Sequence, residues 1–302
     1  MWHMVASALG VSIIMTLRPP STGWPSFSQF WDYKYLLFLN STCSTLNIAL
    51  NNVSLTLISL FLNQVIKATA PAMTIPLSAC IEGKRYGWGV ILSVVVLVAG
   101  TILAVPTSNS NGVATNGAGV LLVGISAFAA SLKSVVMSVA MRGTAERPKL
   151  APTAVMFYDC GLAFFMMLIY WLASDERAAS ISYLGAHAGW GLGIIAAGAS
   201  MAFCFNLSNY YFILSTSALT SAVTSNGVKI VILVVSAITD KVSSAQNICG
   251  IVLTSLAIIS YTYFSYQAKK RPPAPLWPPL AKAAPPAEIS KPLAGEATPL
   301  KR

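Results

Sequence analysis

Apolar runs of about 18 to 24 residues recur along the chain, each close to the length a helix needs to cross a hydrocarbon core of roughly 30 Å. Nine are read, at about 2–17, 35–53, 58–80, 88–105, 118–140, 153–173, 188–212, 217–238 and 246–266. In lipid the backbone polar groups must be satisfied within the segment, so such runs predict helices. Composition closes off a soluble fold: of 302 residues 55% are hydrophobic and 9% charged, against roughly 25% charged in a soluble domain. The expectation is an all-α polytopic membrane protein.

Turn-forming segments separate the runs, among them Arg18-Pro-Pro-Ser-Thr-Gly23, Thr107-Ser-Asn-Ser-Asn-Gly112 and Arg147-Pro-Lys149. Residues 1–266 form a transmembrane domain, and the Pro-, Ala- and Lys-rich stretch 267–302 is expected to be a disordered tail. One set of loops collects Arg18, Lys34, Lys84, Arg85, Arg142, Arg147, Lys149 and the seven basic residues of the tail; the other set holds only Arg177 and Lys241. Basic residues accumulate on the cytoplasmic side of short loops, which places the tail in the cytosol. The first run lacks a basic leader and a small-residue cleavage motif, so it is read as a span rather than a signal peptide.

The formal charge of +10 is spread through loops and tail, which fits topology and not a nucleic-acid partner. Cys43, Cys80, Cys160, Cys204 and Cys249 all fall in apolar runs without a CxxC and are expected to be inert core thiols; no metal site is expected. Asn40, Asn52 and Asn206 each begin an Asn-X-Ser/Thr sequon but lie in or against spans, out of reach of glycosylation. HExxH, GxSxG and paired intramembrane carboxylates are missing, so no enzyme is expected, and no cofactor.

Three lysines lie inside the runs: Lys67, Lys133 and Lys229. An ammonium at that depth costs at least several kcal/mol unless it meets a cavity or a partner, and Asp159 is the one acid within the runs. One acid cannot neutralise three lysines. An anionic ligand would supply the missing charge on binding, which is the logic of an obligate exchanger. Lys229 follows Thr220, Thr224, Ser225 and Asn226, with Gly227 open to close helix approach; Lys67 has Asn63, Gln64 and Thr69 beside it, with Pro71 and Pro76 able to free backbone groups. The candidate substrate-binding residues are Lys229, Lys67, Lys133, Asn226, Thr224, Ser225, Thr220, Asn63 and Gln64, with Lys133 alternatively a gate or the partner of Asp159.

The chain also repeats itself. Val65-Ile66-Lys67, then Glu82 and Lys84, then Trp88-Gly-Val-Ile-Leu-Ser93 are matched by Gly227-Val228-Lys229, Asp240-Lys241 and Cys249-Gly-Ile-Val-Leu-Thr254. The matching loops fall on opposite faces, so the copies, about 1–105 and 118–266, are expected to be inverted repeats with a substrate site between them.

These motifs resemble the nucleotide-sugar and triose-phosphate translocators of the drug/metabolite transporter superfamily. Asn52-Val-Ser-Leu55, Asn63-Gln-Val-Ile-Lys-Ala-Thr-Ala-Pro71 and Gly83-Lys-Arg-Tyr86 look like the first-half signature; Ser217-Ala-Leu-Thr220 through Lys229, with Gln246-Asn-Ile-Cys-Gly250, looks like the second. The resemblance implies ten helices in two inverted repeats of five, with the first helix absent here because Met1-Trp-His-Met4 looks like the start of the second. It implies that Lys229 engages a substrate phosphate and that Lys67 and Lys133 hold the first-half and middle basic positions. Two departures stand out: Ile230 occupies the place of a second basic residue, and Ser225-Asn-Gly-Val-Lys229 replaces the Gly-Ala-Leu-Asn-Lys of GDP-mannose carriers.

The expected function is antiport of a nucleotide sugar against a nucleoside monophosphate across an endomembrane, the Golgi first. The alternatives are a plastid-type sugar-phosphate/phosphate exchanger in a plastid membrane, or a truncated family member that does not transport. The expected partners are a small anionic phosphorylated metabolite and the lipid bilayer, with a homodimer left open and no nucleic acid.

Overall fold

Proline and polar residues decide where the apolar runs break. The computed structural model describes residues 2–17, 24–58, 60–104, 116–143, 148–174, 176–228 and 245–270. These form α1 (Trp2–Leu17), α2 (Phe27–Leu57), α3 (Leu60–Ala68), α4 (Ala70–Glu82), α5 (Trp88–Ala104), α6 (Gly117–Arg142), α7 (Pro152–Ala173), α8 (Glu176–Ala186), α9 (Ala188–Ser215), a helical run over 218–228 designated α10, and α11 (Ala245–Lys270). Four are long and apolar enough to cross a membrane by themselves: α6, α7, α9 and the Ile248–Ala268 part of α11. The apolar stretches of α1 and α5 are shorter.

α2 teaches why hydropathy alone understates this protein. Its 31 residues reach about 46 Å, yet it is rich in Asn, Ser and Thr. The polar side chains point inward: Asn40, Ser41, Ser44 and Ser54 are buried, while Tyr35, Phe38, Leu39, Leu46 and Leu55 are exposed. Lipid is as apolar as leucine, so such a helix is held by packing and interhelical hydrogen bonds. Burial of Asn40 also keeps its sequon from solvent. The cysteines divide in the same way. Cys43 and Cys160 are buried, but Cys80, Cys204 and Cys249 are exposed on outward faces, so the expectation of five core thiols is corrected to two.

Other boundaries differ from the sequence reading. The second run extends at both ends, because Ser26 and Gln29 form a reciprocal capping box ahead of the apolar stretch. The third is two helices rather than one. Pro71 has no N–H to give and crowds the carbonyl four residues earlier, and the chain turns at Thr69, whose hydroxyl donates to the Ile66 carbonyl at 2.6 Å. Gly83 closes α4 in the left-handed region at φ 65°, where a side chain would be strained. The segment before the seventh run, read as a loop, is α8; Trp171 Nε1 donates to Ser180 Oγ at 3.2 Å, folding it against the end of α7. The last helix continues past residue 266 to Lys270, and the first proline beyond it is Pro272, which disfavours helix in the residue before it. The remainder of the tail lies outside the described residues.

Two apolar cores form. One joins α1, α2, α6, α7 and α9 through Val11, Leu37, Met137, Met156, Cys160 and Ile213. The other joins α5, α10 and α11 through Val94, Leu97, Leu219, Val223, Ala257 and Tyr261. α5 and α11 are antiparallel: Gly89 lies against Phe264, whereas Gly100 lies against Gly250 and Thr254. A methyl on Gly100 would sit 2.6 Å from Thr254 Oγ1, so the close crossing requires glycine there.

One end of the bundle is tied by polar contacts. Tyr33 Oη donates to the Pro148 carbonyl at 2.7 Å, Ser138 Oγ donates to Glu82 at 2.5 Å, and Arg142 donates to the Thr216 carbonyl at 2.8 Å. Lys34, Lys84, Arg142 and Lys149 thus share that end, and Arg177, past the far end of α7, lies at the other. Trp24, Phe30, Trp31, Phe157 and Tyr158 pack in edge-to-face and tilted contacts at the basic end, with Lys34 4.6 Å over Trp31. Aromatics with basic residues are what a membrane interface attracts.

Candidate functional site

The break between α3 and α4 lies beside Lys67. Where Pro71 interrupts the ladder, the Ala68 carbonyl receives a hydrogen bond from another helix: Asn226 Nδ2, on α10, donates to it at 2.9 Å, and both groups are buried. α6 supports the other side, with Ser131 Oγ donating to the Ala70 carbonyl at 3.2 Å. Asn63 is fully buried and donates to Ser54 Oγ at 2.9 Å and to Asn51 Oδ1 at 3.1 Å, while its Oδ1 has no hydrogen-bond partner among the described residues. Lys67 and Gln64 are half-buried in the same segment. Among the described residues no carboxylate pairs with Lys67.

Lys133 occupies a different setting. Its Nζ is 2.9 Å from Asp159 Oδ2, with the lysine side chain 18% exposed and the aspartate 1%. Tyr210 Oη donates to the same oxygen at 2.6 Å, and Ser44 Oγ donates to Oδ1 at 2.8 Å. Four helices, α2, α6, α7 and α9, therefore meet on one carboxylate. The alternative that paired Lys133 with Asp159 is the arrangement present.

The second-half candidates divide. Asn226 faces the break. Thr220 lies roughly 9 Å away along the helix axis, where it bonds to Ser217 Oγ at 2.8 Å and Tyr261 Oη at 3.1 Å, at the start of α10. Thr224 and Ser225 are exposed, and Ser225 Oγ donates back to the Ala222 carbonyl at 2.8 Å. Gly227 does admit a neighbour, but a methyl there would meet the Ile258 side chain at 3.3 Å rather than a backbone. Lys229 lies outside the described residues.

At the basic end, Glu82 pairs with Lys84 at 2.9 Å. Burial lowers the Lys84 pKa and the Glu82 carboxylate partly restores it. Ser138 on α6 adds its hydrogen bond to Glu82, joining the α4–α5 loop to α6. The sequence reading missed Tyr210, Ser44, Asn51 and Ser138. A tyrosine or serine inside an apolar helix has many uses, and only the packing of four helices shows that two of these converge on Asp159.

Lysines inside apolar helices and a proline-broken helix beside one of them are features that polytopic transporters use at their substrate sites. The sequence comparisons agree. The Triose-phosphate Transporter family model matches residues 3–262, and the chain belongs to that family of membrane transporters. It is similar to UDP-galactose transporter 1 of Arabidopsis thaliana, 28% identical over 277 residues that cover 90% of this chain and 78% of the relative. It is also similar to the GDP-mannose transporter GONST5 of Arabidopsis thaliana, 27% identical, covering 90% of this chain and 77% of the relative. A probable sugar phosphate/phosphate translocator of the same plant is 26% identical, with 85% and 84% covered.

Proposed function

We propose that the chain is an alternating-access antiporter that exchanges a nucleotide sugar for a nucleoside monophosphate across an endomembrane, with the Golgi as its site. The observation that carries this reading is the contact at the proline break. Asn226, from the second half, satisfies a carbonyl freed one residue from Lys67, in the first half. In transporters, broken helices with exposed backbone and charge mark the substrate site at a repeat interface.

The two halves are read as inverted repeats that supply nine spans: α1, α2, α3 with α4, α5, α6, α7, α9, the run begun by α10, and α11. The antiparallel crossing of α5 and α11 supports this, because these helices carry the matched Trp88-Gly-Val-Ile-Leu-Ser93 and Cys249-Gly-Ile-Val-Leu-Thr254 segments. Lys67 and Lys229 are matched positions of the repeat, and both are assigned to the anionic substrate. Asn226, Asn63 and Gln64 orient it; Thr220, Thr224 and Ser225 belong to the same assignment through the helix that carries them. Two of the relatives are named for nucleotide sugars, which favours that substrate class. A third is named for sugar phosphate and phosphate, and a plastid-type exchange of those compounds is the second reading.

The test is exchange in liposomes preloaded with nucleoside monophosphate or inorganic phosphate, with labelled nucleotide sugar or sugar phosphate outside. Uptake that requires the preloaded anion and is lost in Lys67→Met and Lys229→Ala supports the antiporter, and the effective pair names the class. Uptake independent of any preloaded anion overturns it.

A further inference from the structure

Asp159 is placed as no ordinary structural aspartate need be. It is fully buried in the membrane-spanning bundle, and it takes an ammonium and two hydroxyls at 2.9, 2.6 and 2.8 Å. A hydrogen-bonded Ser–Tyr pair would close the same space without a charge, and burying an ion pair is weak evidence for stability. The pair has a second effect, on charge. Three lysines and one aspartate lie within the apolar runs, which leaves a surplus of two positive charges. Without Asp159 the surplus would be three. A phosphate monoester carries about two negative charges near neutral pH, and a carrier that occludes its cargo in a low-dielectric interior is most favourably filled when cargo and walls cancel.

We propose that Asp159 determines the charge of the anion the carrier accepts: by claiming the ammonium of Lys133 it sets the intramembrane surplus to match a dianion. This rests on the reading of the chain as a transporter of phosphorylated anions. Asp159 is a specificity residue that acts through Lys133 and does not itself touch the cargo. Ser44 and Tyr210 hold the carboxylate in place beside Lys133, and the 2.6 Å bond from Tyr210 shares the oxygen that the ammonium contacts.

The experiment compares nucleoside monophosphate with nucleoside diphosphate, which carries more negative charge. Each is measured as a competitor of exchange in liposomes and as a ligand that raises the melting temperature of the detergent-solubilised protein. Asp159→Asn is expected to shift the preference toward the diphosphate by about tenfold, the scale of one unit charge acting over a partly screened distance. Lys133→Met shifts it the other way, toward anions of lower charge. The double variant Asp159→Asn with Lys133→Met keeps the surplus at two and returns the wild-type preference without an unpaired buried charge, so it decides the matter if a single variant does not fold. A double variant that folds with an altered preference overturns the proposal. Wild-type protein that neither binds nor exchanges any phosphorylated anion overturns the transport reading, and this proposal with it; wild-type exchange with an unchanged preference in Asp159→Asn overturns this proposal alone.

Discussion

Lys133 and Lys67 are both lysines inside an apolar helix, and their surroundings are opposite. Lys133 meets a carboxylate that is itself held by Ser44 and Tyr210, so its charge is answered within the protein. Lys67 stands at a broken helix, one residue from the carbonyl that Asn226 captures, with no acid partner among the described residues. Buried charge that is paired stays folded and quiet, whereas charge without a counter-ion keeps its demand for one. The difference separates a lysine the protein satisfies from one that the proposed function leaves to an incoming anion.

Substitutions that remove one partner from each setting should break this comparison if it is wrong. Asp159→Leu strands Lys133 and leaves the Ser44 and Tyr210 hydroxyls without their acceptor. It should cost about 3–5 kcal/mol, read as a large fall in melting temperature in detergent, and adding Lys133→Met should recover much of it. A melting point unmoved by Asp159→Leu would show that the pair contributes nothing. Tyr210→Phe deletes one hydrogen bond to a charged acceptor and should cost about 1.5–3 kcal/mol; equal losses in Tyr210→Phe and in a control tyrosine at the surface, such as Tyr183→Phe, would discount the bond.

At the other setting, Asn226→Ala leaves the buried Ala68 carbonyl unsatisfied, at about 1–3 kcal/mol. Pro71→Ala in the same background removes the crowding that breaks the helix and lets Ala72 N–H, which now bonds to the Thr69 carbonyl, turn to Ala68, so a smaller Asn226→Ala penalty in that variant is expected. Lys67→Met has the smallest effect on stability, about 0.5 kcal/mol or less, because no ion pair among the described residues is lost. Its effect on exchange is the opposite: about a hundredfold loss, the scale of truncating a desolvated charged contact. A marked fall in melting temperature with exchange intact would reverse the roles assigned to the two lysines.

Much of this was legible from the chain. Run length and scarcity of charge predicted the helical membrane fold, and the isolated Asp159 made pairing with it one of three roles read for Lys133. The break at Thr69 was foreshadowed by Pro71, although the third run was read as one span, because hydropathy averages over a proline that changes no hydrophobicity. α8 escaped because Glu176 and Arg177 mark a loop to hydropathy, yet a short helix is stabilised by folding its Ser180 against Trp171. Tyr210 and Ser44 carried no signal, since they lie on helices distant in sequence from Asp159.

The sequence by itself determined the solvent this protein folds in, the helices that solvent imposes and the intramembrane lysines that need an answer to their charge. Each is a property of residue type and spacing along one segment. Which lysine is answered by the protein was decided only by tertiary structure. An ion pair or a captured carbonyl depends on atoms within about 3 Å of each other, and only the packing of α2, α6, α7 and α9 on one side, and of α10 on the broken α3–α4 helix on the other, brings those atoms together.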